Sequence, residues 1–339
     1  MVKVAIIGLG KMGMSHCAIL GAHPDVELVG MCDPDSLLQS AFKKLTKIAC
    51  YTDYKKMINE TKPDAVYVVT PTKLHEEMVV YALEHGCHVF CEKPFSLTEK
   101  DGQIMVEAAK KYGKVNQVGY HNRFIGTFVE AKRLMDAGVI GKPFHFMGEA
   151  YGPVVLKRKG GTWRSDKKAG GGCVMDYAAH VLNLINYICS SPIVKVAGTS
   201  MPSIFSAEVD DAVYSTLTLE NGLKGQLSVC WSDDTVRKMT TSLKIEGDGG
   251  KIFVDATTLK VYVKEDNPKE GLVKGWNEKH IPELAPIVFF NLRGEEYSEE
   301  TDKFIKCIKE NKMSDRNSFE EAYKTDQIIN ALMENAQNG

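Results

Sequence analysis

Four short stretches of this 339-residue chain gather residues that could do chemistry: Gly8-Leu9-Gly10-Lys11-Met12-Gly13, Thr70-Pro71, Glu92-Lys93-Pro94, and Gly170-Gly171-Gly172 followed at steps of four by Asp176 and His180. The first has the form G-x-G-x-x-G. It follows the apolar run Val2–Ile7, opens a helical pattern, and has Asp33 20 residues beyond Gly13 at the end of the next apolar run. That context marks a dinucleotide-binding turn. Gly8 permits the tight turn, Gly10 lets the backbone approach a pyrophosphate, and Gly13 lets helix and strand pack closely. Phosphates then rest on the N–H groups around Lys11 and Met12, where the helix dipole favours anions. Asp33 is placed to accept hydrogen bonds from the adenosine ribose; the alternative is that it only caps the helix begun by Pro34. A 2′-phosphate beside that carboxylate would cost on the order of 1–4 kcal/mol, so NAD is expected over NADP.

The other stretches offer proton chemistry. His180 suits transfer of a proton near neutral pH. Asp176 can bind a substrate hydroxyl or fix the tautomer of His180. If Val174–Cys189 is helical, both side chains leave one face.

The first 120 residues have to position these groups. Val2–Ile7, Val26–Cys32, Ala65–Val69, His88–Cys91 and Val115–Val118 are apolar runs without polar alternation, as strands buried on both faces require. Helical patterns at Leu74–His85 and Thr98–Tyr112 lie between them, the second capped by Thr98 or Ser96 and stopped by Gly113. The expectation is a doubly wound parallel α/β sheet, a Rossmann domain over 1–121, with ligands at the C-terminal strand ends. Gly8, Asp33, Thr70 and Glu92-Lys93 all fall there. Residues 122–339 predict a second, α+β domain with a large, mostly antiparallel open sheet. A helix is expected over Thr127–Ala137. Hairpins are expected at Val213–Leu219 with Leu223–Trp231, and at Gly247-Asp248-Gly249-Gly250. Residues 265–292 read as a long loop. Helices over Glu299–Glu310 and Phe319–Asn335 close the chain and could pack back on the first domain.

Lys plus Arg total 42 and Asp plus Glu total 44, a net charge of −2, which argues against a nucleic-acid binder. No apolar run reaches the ~18 residues of a membrane helix. The nine scattered cysteines read as reduced thiols in a cytoplasmic protein. Cys87 and Cys91 with His85 and His88 are a weak cluster, and no metal is expected.

Taken together and in this order, Gly8–Gly13, Thr70-Pro71, Glu92-Lys93-Pro94 and the Gly170–His180 segment resemble the Gfo/Idh/MocA oxidoreductases. The resemblance implies hydride transfer between NAD and a secondary hydroxyl of a sugar, cyclitol or nucleotide sugar, in a homodimer or homotetramer built through the C-terminal sheet. It makes Lys93 the catalytic lysine, with Glu92 near the cofactor and a Lys93–Pro94 bond that is often cis. His180 becomes the acid/base and Asp176 a substrate ligand. Thr70, Pro71, His75, Arg123, Trp163 and Arg164 are implied on the cofactor side, and His121 and Asn122 on the substrate side. Thr72 stands where many members carry Asn. The loop cations Lys157, Arg158, Lys159, Lys167 and Lys168 could meet a phosphorylated substrate. A redox-assisted glycosidase and a non-catalytic dinucleotide-sensing regulator are the alternative functions.

Overall fold

The computed structural model describes residues 1–158, 162–292 and 294–338. Lys159 of the cationic loop lies outside the described residues. The chain divides into two compact units, Met1–His121 with Ile287–Tyr323, and Asn122–Pro286 with Lys324–Gly339.

In the first unit strands and helices alternate: β1 (Val2–Ile7), α1 (Lys11–Ala22), β2 (Val26–Cys32), α2 (Ser36–Thr46), β3 (Cys50–Tyr51), α3 (Tyr54–Thr61), β4 (Ala65–Val68), α4 (His75–Glu84), β5 (His88–Cys91), α5 (Glu99–Tyr112) and β6 (Asn116–Val118). The strands make one sheet in the order β3-β2-β1-β4-β5-β6, with every pair parallel. β4 is buried at all four positions, which is why its sequence shows no polar alternation. All five apolar runs contribute strands. β3 was not expected: two residues leave no periodic signal, and its pairing with Met31 and Cys32 of β2 defines it. Thr98 caps α5 by accepting from the Asp101 N–H, and Gly113 ends that helix.

The second unit contains α6 (Gly126–Asp136), β7 (Pro143–Tyr151), a π-helical turn at Val174–Ala178 that runs into α7 (Ala179–Ile188), then β8 (Ile193–Ser200), β9 (Ala212–Leu219), β10 (Lys224–Cys230), β11 (Thr240–Gly247), β12 (Gly250–Asp255), β13 (Thr258–Val263), β14 (Gly275–His280) and α8 (Ile281–Leu284). Its eight-stranded sheet runs β14-β13-β12-β11-β7-β10-β9-β8. Only β7 and β10 pair in parallel. Both expected hairpins form, β9 with β10 and β11 with β12. Leu223, Gly225, Leu227, Val229 and Trp231 are buried, while Lys224 and Gln226 are exposed.

The expected loop over 265–292 is corrected: it contains β14 and α8. Gly-Trp-Asn-Glu-Lys-His has no apolar alternation because β14 is an edge strand with no fully buried position. Its ladder to β13, rather than a hydrophobic face, sets its register.

Two helices close the chain, α9 (Glu295–Lys309) and α10 (Phe319–Asn338). α9 begins a turn earlier than its pattern predicted and belongs to the first unit. Phe304 and Ile305 on its apolar stripe join the core cluster of Val4, Ile6, Tyr67 and Phe90.

Candidate active site

Because β1, β2, β4, β5 and β6 are parallel, their C-terminal ends share one edge of the sheet. Gly8, Asp33, Thr70-Pro71, Glu92-Lys93 and His121 each follow one of those ends within three residues. The strand order reverses between β1 and β4, the position where open α/β sheets form their ligand crevice.

The three fingerprint glycines meet different surroundings. Gly8 has φ +97°, and a side chain there would run into the Val69 carbonyl. A Cβ on Gly13 would overlap the Gly8 carbonyl oxygen, so α1 can pack against the turn only without one. A Cβ on Gly10 would meet nothing within 4 Å. Gly10 is the N-cap of α1, with no side-chain cap and no acidic residue in the first turn. The amides of Lys11, Met12 and Gly13 therefore face a cradle suited to an anion. Asp33 Oδ2 accepts from the Leu9 N–H at 2.7 Å and Oδ1 from the Asp35 N–H at 2.9 Å. α2 is capped by Asp35, not Asp33. The helix-cap alternative for Asp33 therefore falls, and its carboxylate keeps further lone pairs for hydroxyl donors. This donor and acceptor set fits a dinucleotide.

His75 is fully buried. Its Nε2 lies 2.9 Å from the Thr70 carbonyl and its Nδ1 3.1 Å from the Phe95 carbonyl. Burial pushes its pKa down, although both carbonyls act the other way. The ring ties the Thr70-Pro71 turn to the turn after Lys93. Thr72 is buried in a short 3-10 turn between them.

Lys93 is half-buried and its peptide bond to Pro94 is cis. Glu92 beside it is 8% exposed. Glu92 Oε1 lies 2.7 Å from His16 Nε2, and Oε2 accepts the Lys93 N–H at 3.0 Å. Gly119 packs on the same carboxylate, where a Cβ would come within 3.0 Å of Oε2. Burial alone would raise the Glu92 pKa. The hydrogen bond from His16, the His16 and Lys93 charges and the Lys93 amide outweigh it and hold the carboxyl below its ordinary value. Sequence reasoning missed His16, although it stands one helical turn beyond Gly13. His121 stacks on Tyr297 of α9, with ring centres 4.6 Å apart and planes 21° apart.

In the second unit Arg164 Nε lies 2.9 Å from Asp176 Oδ2, and the guanidinium sits over the Trp163 ring at 4.5 Å. Asp176 and His180 are both buried. The segment after Cys173 is helical, as the shared face of the two residues requires, but not uniformly α: Asp176 lies in the π turn and His180 in α7. A π turn bonds i to i+5 and alters the angular step between the two side chains. The start of this helix is held from outside. Cys173 N–H donates to the Asp210 carbonyl at 3.0 Å, and Val174 N–H to Asp210 Oδ2 at 2.7 Å. Burial pushes the Asp210 carboxyl up to about 6. The sequence signal for Asp210 was an acidic pair directly before β9, which went unread.

In the triple glycine, Gly171 packs on the backbone of Trp163-Arg164, and Gly172, with φ +118°, packs on the Asp210 carboxylate. Arg123 is buried, donates Nε to Asn183 Oδ1 at 2.6 Å, and lies over the Tyr187 ring at 5.0 Å. It thereby braces α7. Asn122 is buried, with Nδ2 3.5 Å from Thr241 Oγ1. Lys157, Arg158, Lys167 and Lys168 are exposed. Among the described residues, no group of three or more His, Cys, Asp or Glu is arranged to hold a metal ion. Among them, too, no helix is long and apolar enough to cross a membrane.

Comparison with known proteins agrees with this geometry. Residues 2–120 match the oxidoreductase family described as GFO/IDH/MocA, NAD-binding Rossmann fold, and residues 128–253 match the GFO/IDH/MocA C-terminal domain. The chain is 30% identical over 243 residues to the D-glucoside 3-dehydrogenase of Escherichia coli, covering 65% of this chain and 67% of that one. It is 30% identical over 199 residues to the scyllo-inositol 2-dehydrogenase (NAD(+)) of Bacillus subtilis, covering 58% of this chain and 56% of that one. Levoglucosan dehydrogenase, solved with NADH and L-sorbose, shares the fold at a TM-score of 0.89 and 22% identity over 100% of this chain and 97% of its own. With a glycine cradle at the rim of a parallel sheet and both domains matched in order, the chain belongs to the Gfo/Idh/MocA family and is an oxidoreductase with an NAD-binding Rossmann domain.

Proposed function

We propose that the protein is an NAD-linked dehydrogenase that oxidises a secondary hydroxyl of a sugar, cyclitol or nucleotide sugar. The observation that supports this reading is that Lys93 follows a C-terminal strand end of the same parallel sheet that carries the glycine turn, with its amide bonded to a buried Glu92 whose carboxyl is held below its ordinary value. The named activities of the glucoside and inositol relatives support the substrate class.

Bound NAD supplies the hydride acceptor. The protein's own residues do the rest. The Lys93 ammonium hydrogen-bonds the reacting hydroxyl and stabilises alkoxide character on its oxygen. His180 takes the hydroxyl proton, and Asp176, oriented by Arg164, binds a neighbouring hydroxyl. Holding both reactants in fixed orientation supplies much of the acceleration. Asp33 selects NAD. The carboxylate repels a 2′-phosphate, so kcat/KM should favour NAD over NADP by at least about tenfold. A kinetic comparison of the two cofactors checks this, and a preference for NADP would refute the assignment.

The substrate reading is tested by following NADH formation with inositols, free sugars and nucleotide sugars in parallel. A dehydrogenase gives net NADH with at least one class. Product without net NADH would assign the redox-assisted glycosidase instead. NAD binding without turnover of any class would assign the regulator. A homodimer or homotetramer through the eight-stranded sheet, in a reducing, cytoplasmic setting that suits nine free cysteines, belongs to the same reading.

A further inference from the structure

Behind the Glu92–Lys93 turn, the first unit buries a group of polar atoms that the motifs do not account for. Residues three and four apart share a helix face, so α9 presents Tyr297, Glu300, Thr301 and Phe304 together. Glu300 and Thr301 are 0% exposed. Among the described residues, neither side-chain oxygen of Glu300 has a hydrogen-bond partner. The same holds for His16 Nδ1 on α1, while Thr301 Oγ1 and Tyr67 Oη on β4 pair at most with each other. The His16 ring centre lies 5.5 Å from that of Tyr67 and 6.5 Å from that of Tyr297. Its other nitrogen is the one that meets Glu92. These atoms therefore lie around the back of the His16–Glu92 pair.

A carboxylate cut off from water, without a cation or a donor, takes up a proton rather than remain charged. The acidic groups facing Glu300 act in that direction. Glu92 from the end of β5 and Glu296 from its own helix are acidic. Tyr67 from β4 is neutral, and His16 from α1 is already engaged by Glu92. Burial first, then the charges of Glu92 and Glu296, push the Glu300 pKa well above the ordinary value. Glu92 goes the other way, so the two neighbouring carboxyls are shifted in opposite directions. Buried polar atoms pair with protein or with ordered water, and water can donate and accept at once.

We infer that Glu300 is a positioning residue. It is a neutral carboxylic acid, joined through ordered internal water to Tyr67, Thr301 and His16 Nδ1, and it keeps His16 Nε2 directed at Glu92 and hence the Lys93 turn in place. The proton inventory stands apart from the reaction proposed above; only the consequence for Lys93 rests on it.

Glu300→Gln tests the proton, because it keeps the shape and cannot ionise. In the unfolded chain Glu300 ionises near pH 4.3, whereas the folded protein keeps its proton. The carboxyl's contribution is thus fully present below about pH 4 and is lost as pH rises toward its raised folded value. The melting temperature of E300Q relative to wild type should climb by about 3 °C or more between pH 4 and pH 8. The infrared carbonyl band of a protonated carboxyl, present in wild type at pH 8, should be missing from E300Q. A difference in melting temperature that does not change with pH, or a band that survives in E300Q, overturns the neutral acid. Glu300→Leu tests the water, since it strands the remaining polar atoms. It should lower the melting temperature at every pH, and an E300L protein as stable as E300Q would overturn the water-linked site.

Discussion

Lys93→Met should lower kcat by about 100- to 1,000-fold, the range seen when one donor to a developing oxyanion is removed, and should leave NAD affinity little changed. Two features make this variant informative. The backbone of the turn is held by groups other than the lysine side chain: Glu92 accepts the Lys93 amide, and His75 reaches the carbonyl of Phe95. The glycine cradle that receives the phosphates is built by β1 and α1, not by the turn that carries Lys93. Steady-state kcat on the substrate found by screening, set beside the NAD dissociation constant from calorimetry, separates the two quantities. Turnover close to wild type would remove Lys93 from the chemistry. A parallel collapse of NAD affinity would make it a cofactor ligand instead.

Substitution of the fingerprint glycines should split stability from binding. Gly13→Ala puts a methyl group onto the Gly8 carbonyl, where helix and turn would have to separate. Overpacking of this kind costs about 1–3 kcal/mol, and the rim distorts with it. Gly10→Ala has no such conflict: φ is −62° and nothing lies within 4 Å of the added carbon. It should fold as wild type does. Its methyl group would occupy open space at the turn where the pyrophosphate is proposed to lie, so NAD affinity should fall by about tenfold or more, a loss of at least about 1.4 kcal/mol. Thermal melts and NAD titrations of both variants check this. NAD binding by Gly10→Ala at wild-type strength would mean that the pyrophosphate does not lie against that turn.

Much of the first unit could be read from the chain because its signals are local. Doubly buried strands need unbroken apolar runs, and a strand-to-helix turn needs glycine where a Cβ would strike backbone. Gly8, Asp33, Thr70 and Glu92-Lys93 could be assigned to one rim before any coordinates, since parallel strands put their C-terminal ends together. Asp35, rather than Asp33, was the cap of α2, a distinction that turns on which carboxylate faces the amides of Leu37 and Leu38. β14 left no sequence signal because an edge strand with one face half-buried and the other exposed needs no apolar alternation.

By itself, then, the sequence determined the parallel sheet, its ligand edge and the residues on that edge, because backbone sterics and burial act over a few neighbouring residues. Tertiary structure alone decided what stands behind them. His16 meets Glu92 across 76 positions of chain, and Asp210 holds an amide 36 positions away. α9 brings Tyr297, Glu300 and Thr301 from the far end of the sequence to the Rossmann sheet. Such pairings carry no periodicity. They arise where packing removes polar atoms from water and obliges each to find a partner or keep its proton.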